Sequence, residues 1–149
     1  IQCVPGTEGM KKVPNWFYFI NIGTYPPEVV FAPNARAFRR ALNFFNVKDL
    51  PEKGFYPKSG GCVSIYYPHQ RVKGTTPICI ITIDLNLKVS KEQIAAIVAH
   101  EAVHVFQYLT KIIEEDDPCW EFEAYTVQGI VQDVLYSIKR YKSLLRRIK

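Results

Sequence analysis

The sequence predicts an α+β domain in which a small antiparallel or mixed sheet packs against two long helices, with an additional N-terminal helix. Three observations carry the prediction. Two β-rich apolar runs, Cys62 to Tyr67 and Ile78 to Leu85, stand in the middle of the chain. Two long stretches with helical spacing follow them, from Ser90 onward, and a shorter helical pattern, Ala35 to Phe45, precedes them. At 149 residues, 48% apolar and 13% aromatic, the composition is that of one globular domain spanning 1–149.

The elements follow in chain order. The first 34 residues scatter Pro and aromatic residues around a strand-like piece, Trp16 to Ile22. Over Ala35 to Phe45, the apolar residues Phe38, Ala41, Leu42 and Phe45 recur at helical spacing, and Arg36, Arg39 and Arg40 fall off that stripe. Lys48 to Gly61 reads as a loop, punctuated by Pro51, Gly54, Pro57 and the Gly60-Gly61 pair. The two β-rich runs, joined by a polar connection with Gly74 and Pro77, pair as strands of one sheet. Ser90 with Gln93 three residues on forms a capping-box pattern and opens a helix to about Ile113. After the acidic run Glu114 to Asp117, Asp117-Pro118 reads as an N-cap with Pro at the first helical position, opening a last helix that runs nearly to Lys149. The first long helix is expected in the middle of the fold, buried.

Composition narrows the function classes. No apolar run approaches the roughly 18 residues that a membrane span requires. Ile1 to Pro5 shows no basic region followed by an apolar core, so no signal peptide is visible, although a chain that does not begin with Met leaves a preceding segment open. The net charge of +5 gathers in Lys139 to Lys149, where six Lys or Arg fall. Such a tail can contact nucleic acid or anionic lipid, but it is more often just the solvated face of a terminal helix, and nucleic acid is not the partner it selects. The cysteines Cys3, Cys62, Cys79 and Cys119 permit two disulfides by count. Their spacing has no C-x-x-C pair and leans toward a reducing compartment such as the cytoplasm. Cys79, in an apolar run, is expected as a small buried hydrophobe.

The chemistry lies in His100-Glu101-Ala102-Val103-His104. Residues four apart on a helix share a face, so His100 and His104 present two imidazoles to one ion. Zn²⁺ takes such ligands in tetrahedral surroundings, and Glu101 beside them is placed to act as general base. Lining a core-facing stripe with Ile97 and Tyr108 instead would bury two imidazoles and a carboxylate among apolar groups without a partner, which is costly. A catalytic site adds a third protein ligand. On the last helix, Glu123 shares a stripe with Trp120, Val127, Ile130, Val134, Ile138 and Tyr141, whereas Glu121 lies with Gln128, Gln132 and Lys139 on a polar face. A lone carboxylate on an apolar stripe calls for a partner, which selects Glu123.

With Glu123 following on the next helix, the motif resembles the gluzincins, HExxH zinc metallopeptidases whose third zinc ligand is a Glu on a following helix. The segment Trp-Glu-Phe-Glu-Ala-Tyr-Thr-Val-Gln looks like small HExxH proteins of tailed phages and prophages, and more weakly like the repressor-cleaving peptidases of mobile elements. The resemblance runs from Ser90 to about Gln132 and implies a zincin-like fold, a Zn²⁺ cofactor and a peptide or protein substrate. The metzincin extension is absent after His104, and Val127 stands where the gluzincin pattern has an acidic residue. Orientation of the histidines would then fall to another group, for which Asp84 is a candidate. Tyr125, His69, Arg71 and Tyr67 are candidate donors to a developing oxyanion. The Cys62 to Tyr67 strand, if at an edge, would bind an extended substrate by strand addition. An alternative from another class uses the same ligands in a catalytically silent zinc-binding interaction module, a virion component or host-factor binder, with Cys119 or His69 closing the site as a fourth ligand.

Overall fold

The computed structural model describes residues 14–57 and 59–148. Cys3 and Ile1 to Pro5 lie outside them, as does Lys149 at the end of the basic tail. Among the described residues the chain is α+β, with a four-stranded mixed sheet and three helices. In order these are β1 (Tyr18–Ile20), β2 (Glu28–Ala32), α1 (Ala35–Phe44), β3 (Gly61–Tyr66), β4 (Ile78–Ile83), α2 (Lys91–Ile112) and α3 (Trp120–Ile148). A single 3-10 turn, Pro68–Gln70, separates β3 from β4.

The sheet order is β1-β2-β4-β3. β1 and β3 run antiparallel to their neighbours, while β2 and β4 pair in parallel, with Val29 opposite Cys79 and Phe31 opposite Ile81. All six residues of β4 are buried. The reason is that helices cover both faces, so a central strand reads as a continuous apolar run rather than as an alternating one. Alternation then divides the core. Val30, Ala32, Ile78 and Ile80 point toward α1, where they meet Phe38, Ala41, Leu42 and Phe45. Val29, Phe31, Cys79, Ile81 and Ile83 point to the other face, under α2 and α3. Each fully buried Val, Leu, Ile or Phe of these layers contributes roughly 1.5–3 kcal/mol.

Helix boundaries follow local chemistry. Asn34 caps α1, its side chain accepting from the Ala37 N–H at 2.9 Å. Ser90 and Gln93 close the expected box on α2: Ser90 Oγ accepts from the Gln93 N–H at 3.1 Å, and Gln93 Oε1 from the Ser90 N–H at 2.8 Å. α3 begins at Trp120, later than the Asp117-Pro118 signal implies, and the Glu123 N–H bonds the Cys119 carbonyl at 3.1 Å. Asp117 instead donates its N–H to Glu115 within the connecting turn.

α2 is not buried in the middle. It lies on one face of the sheet, over β3 and β4, with α3 alongside. Val98, Ala102, Val105 and Leu109 form its buried stripe, while Ala96, His100, Val103 and Gln107 are exposed. Among the described residues, no helix is long and apolar enough to cross a membrane. Cys62, Cys79 and Cys119 are free thiols, and Cys79 is fully buried, as expected of a small hydrophobe.

Candidate metal centre

Next to the buried stripe of α2 runs a second one, Ile97, Glu101, His104 and Tyr108, at the i, i+4, i+7, i+11 positions of one helix face. With His100 it forms one wall of a cleft of about 680 Å³ whose other wall is Ser59 to Val63, at the start of β3. The helix therefore sets the metal-motif side chains at the boundary between core and solvent. Glu101 is buried at 5% exposure, His104 is half-buried and His100 is exposed.

The imidazoles meet edge to face, ring centroids 4.7 Å apart, with their Nε2 atoms separated by 3.0 Å. Two nitrogens each 2.0–2.1 Å from a tetrahedral zinc stand roughly 3.3 Å apart. The pair thus fits the donor geometry of one ion with a small rotation of either ring. His104 Nδ1 lies 3.0 Å from Gln107 Oε1, one turn on.

Glu101 is seated against the sheet. A Cβ built on Gly61 would come within 2.8 Å of both Cγ and Oε1 of Glu101, and within 2.7 Å of Ile97 Cγ2. Only a residue without a side chain lets the β3 backbone approach α2 this closely. Burial pushes the Glu101 carboxyl above its usual range, and charge on His100 and His104 pulls it the other way. Among the described residues no donor hydrogen-bonds this carboxylate, so its oxygens are available to groups in the cleft.

Glu123 is not brought to this group. It is exposed in the first turn of α3 and does not line the cleft. Phe122 beside it meets Phe106 of α2, ring centroids 5.5 Å apart. Phe106 is two residues on from His104, roughly 200° round the helix, so α3 packs on the side of α2 that faces away from the histidines. Among the described residues, no group of three or more His, Cys, Asp or Glu is placed to share an ion. The apolar stripe of α3 does face the core from half-buried Val127 through Ile130, Val134, Ile138 and Tyr141, but Trp120 at its start is 86% exposed. At this end of the helix a carboxylate needs no buried partner, which removes the argument that singled out Glu123. Glu121 is exposed as well.

The remaining candidates stand elsewhere. His69 is exposed and stacks on Tyr67, and Tyr125 and Cys119 are exposed outside the cleft. Arg71 is buried as a structural clamp, Nε donating to the Phe45 carbonyl at 2.8 Å and Nη1 to the Thr76 carbonyl. Asp84 accepts from the Asn86 N–H in the turn after β4 and lines a different cavity, with Tyr56 and Tyr141. The sequence reading missed two members of the cleft or its support, and named Tyr108 only as part of an apolar stripe with Ile97. Gln107 carried a signal, since it lies three residues beyond His104. Gly61 appeared only as loop punctuation.

Compared with known proteins, the chain matches no protein-family model, no curated protein and no solved structure.

Proposed function

We propose that the chain is a zinc-dependent metallopeptidase domain with a zincin-like fold. In this reading His100 and His104 hold the metal, Glu101 is the general base, and the substrate is a peptide or protein. The observation that carries it is the pair of imidazole nitrogens, 3.0 Å apart, on the same cleft wall as a buried carboxylate with no hydrogen-bond partner among the described residues. The desolvation cost falls on the buried Glu101, and a cation in the cleft would offset it; His100 and His104 are open to solvent and carry little of it.

Zinc, when bound, supplies the Lewis acidity that acidifies water and polarises a carbonyl. Glu101 accepts a proton from water in the cleft and returns it to the leaving amine, a role suited to a carboxylate whose protonation burial has made easier. β3 is an edge strand, paired only with β4 among the described residues, and it lines the cleft at its start. Its free edge suits an extended substrate added as a further strand. Glu123 enters as third ligand from the sequence alone, and that role requires the first turn of α3 to come round to the histidine side of α2.

Elemental analysis of the purified chain, beside Glu123→Ala and Glu121→Ala, is the first test. About one zinc per chain, lost only in Glu123→Ala, supports the gluzincin-like ligand set. Zinc retained in both variants removes Glu123 and keeps the histidine pair. No zinc in the wild type, even after reconstitution, sinks the reading. Peptide hydrolysis by the zinc-loaded Glu101→Gln variant at the wild-type rate would sink the mechanism. The alternative, a catalytically silent zinc-binding interaction module, needs the same ligands and a fourth, and Cys119 and His69 both stand outside the cleft. Zinc uptake without hydrolysis of any peptide in a degenerate library supports that reading.

A further inference from the structure

We propose that Gln107 is the positioning residue of the metal centre, holding His104 in the tautomer that presents Nε2 as a bare lone pair toward His100. The inference rests on the metal-binding reading above and assigns the orienting group that the sequence leaves vacant at Val127.

The geometry is local to one helix. Long side chains on an α-helix lean toward its N-terminus, so Gln107 reaches back over the turn that carries His104, three residues before it. Its amide oxygen lies 3.0 Å from His104 Nδ1. A carbonyl oxygen only accepts, so Nδ1 carries the hydrogen and donates it. The other nitrogen of a neutral ring is then unprotonated, and His104 Nε2 accepts from His100 across 3.0 Å. A metal-ligating histidine needs the same arrangement, its far N–H donated to an oxygen and its near nitrogen free. The other group considered for this task, Asp84, is occupied in its own turn.

An amide differs from a carboxylate in a measurable way. It fixes the tautomer and the ring plane but adds no negative charge, so it raises ligand basicity less than an Asp or Glu in the same place. Gln107 is exposed, and its replacement leaves the core untouched.

The test is a Zn²⁺ competition titration against a chromophoric chelator, on the full chain and its Gln107→Ala and Gln107→Glu variants. Long-range ¹H–¹⁵N spectra of histidine-labelled, zinc-free protein accompany it. Expected are an Nδ1–H tautomer for His104 in the wild type, lost in Gln107→Ala, and a zinc affinity lowered about 10–100-fold by Ala. The Glu variant should bind zinc more tightly than the wild type and keep the Nδ1–H tautomer of His104; loss of that tautomer in the Glu variant overturns the proposal. Equal zinc affinity in all three proteins overturns the proposal, as does an Nε2–H tautomer in the wild type. Zinc uptake absent from the wild type overturns the function proposed above, and the tautomer then decides the role of Gln107 independently.

Discussion

Glu101 of α2 and Gly61 of β3 are in such close approach that the Glu101 carboxylate occupies space a Gly61 Cβ would need, Oε1 lying 2.8 Å from that position. Two effects compete when Gly61 becomes Ala. Restricting the unfolded chain stabilises by about 0.4–1 kcal/mol where the native backbone suits Ala. Overpacking against Glu101 and Ile97 costs about 1–3 kcal/mol. The second wins, because one of the opposing atoms is a branched methyl fixed on a helix. Gly61→Ala should therefore lower the urea midpoint, and Ile97→Ala, which removes core packing of its own, should cost less in the Gly61→Ala background than in the wild type. An unchanged or raised midpoint in Gly61→Ala alone would show that the β3–α2 spacing is looser than this contact implies.

The start of α2 is held by Ser90 and Gln93, each side chain bonded to the other's backbone N–H. Ser90→Ala leaves the Gln93 N–H to water and should destabilise the chain by about 0.5–2 kcal/mol. The cap sits well over two turns before His100, so zinc affinity should change far less than stability. Thermal unfolding and a Zn²⁺ titration on the same variant separate the two. A zinc affinity that falls in step with stability would mean that the helix frays as far as the metal motif.

What the sequence made legible depended on the range of the interaction. The capping box, the buried face of α1 and the β3 and β4 runs are set by near neighbours, and each appears within a residue or two of its expected place. β2 passed unread because Glu-Val-Val-Phe-Ala is short, follows two prolines and has both faces covered, which erases alternation. The strand order, with β2 beside β4, is set by packing on both faces and left no local mark. In the candidate site, the turn-spaced pair His100 and His104 was legible from helix geometry alone. Gly61 was not, since its need arises from a helix that packs on it from much later in the chain. Periodicity on α3 named the right face but not the point along the helix where burial begins, and Glu123 falls before that point.

Trp120 and Ile130 test that distinction directly, because both belong to the same apolar stripe. Ile130 is fully buried against the sheet layer, whereas Trp120 is 86% exposed. Ile130→Ala should cost about 2–5 kcal/mol through lost transfer energy and the cavity left behind. Trp120→Ala, the larger truncation, should fall within about 0.5 kcal/mol of the wild type. Chemical denaturation of the two variants is sufficient. A large cost for Trp120→Ala would put the first turn of α3 on the core, and would return Glu123 to a position where a carboxylate needs a partner.

Cys79 offers a test of the sheet core by pH. Burial between β2 and β3 pushes its thiol up from 9.0 to about 12. The unfolded chain releases this proton above about pH 9, while the folded chain keeps it until about pH 12. The folded state therefore binds more protons across that window, and stability, fully present below pH 9, is lost as the pH rises. One such group costs at most about 1.4 kcal/mol per pH unit inside the window. Tyr56, whose hydroxyl donates to the Ala32 carbonyl and is likewise pushed up by burial, acts in the same direction in any variant that keeps it. Cys79→Ala loses a pH-independent amount to the small cavity it leaves, so the slope and not the offset reports the thiol. Urea midpoints between pH 8.5 and 10.5 should fall more steeply in the wild type than in Cys79→Ala. Parallel slopes would mean that the thiol reaches solvent in the folded chain, and that the β4 core is more open than its packing indicates.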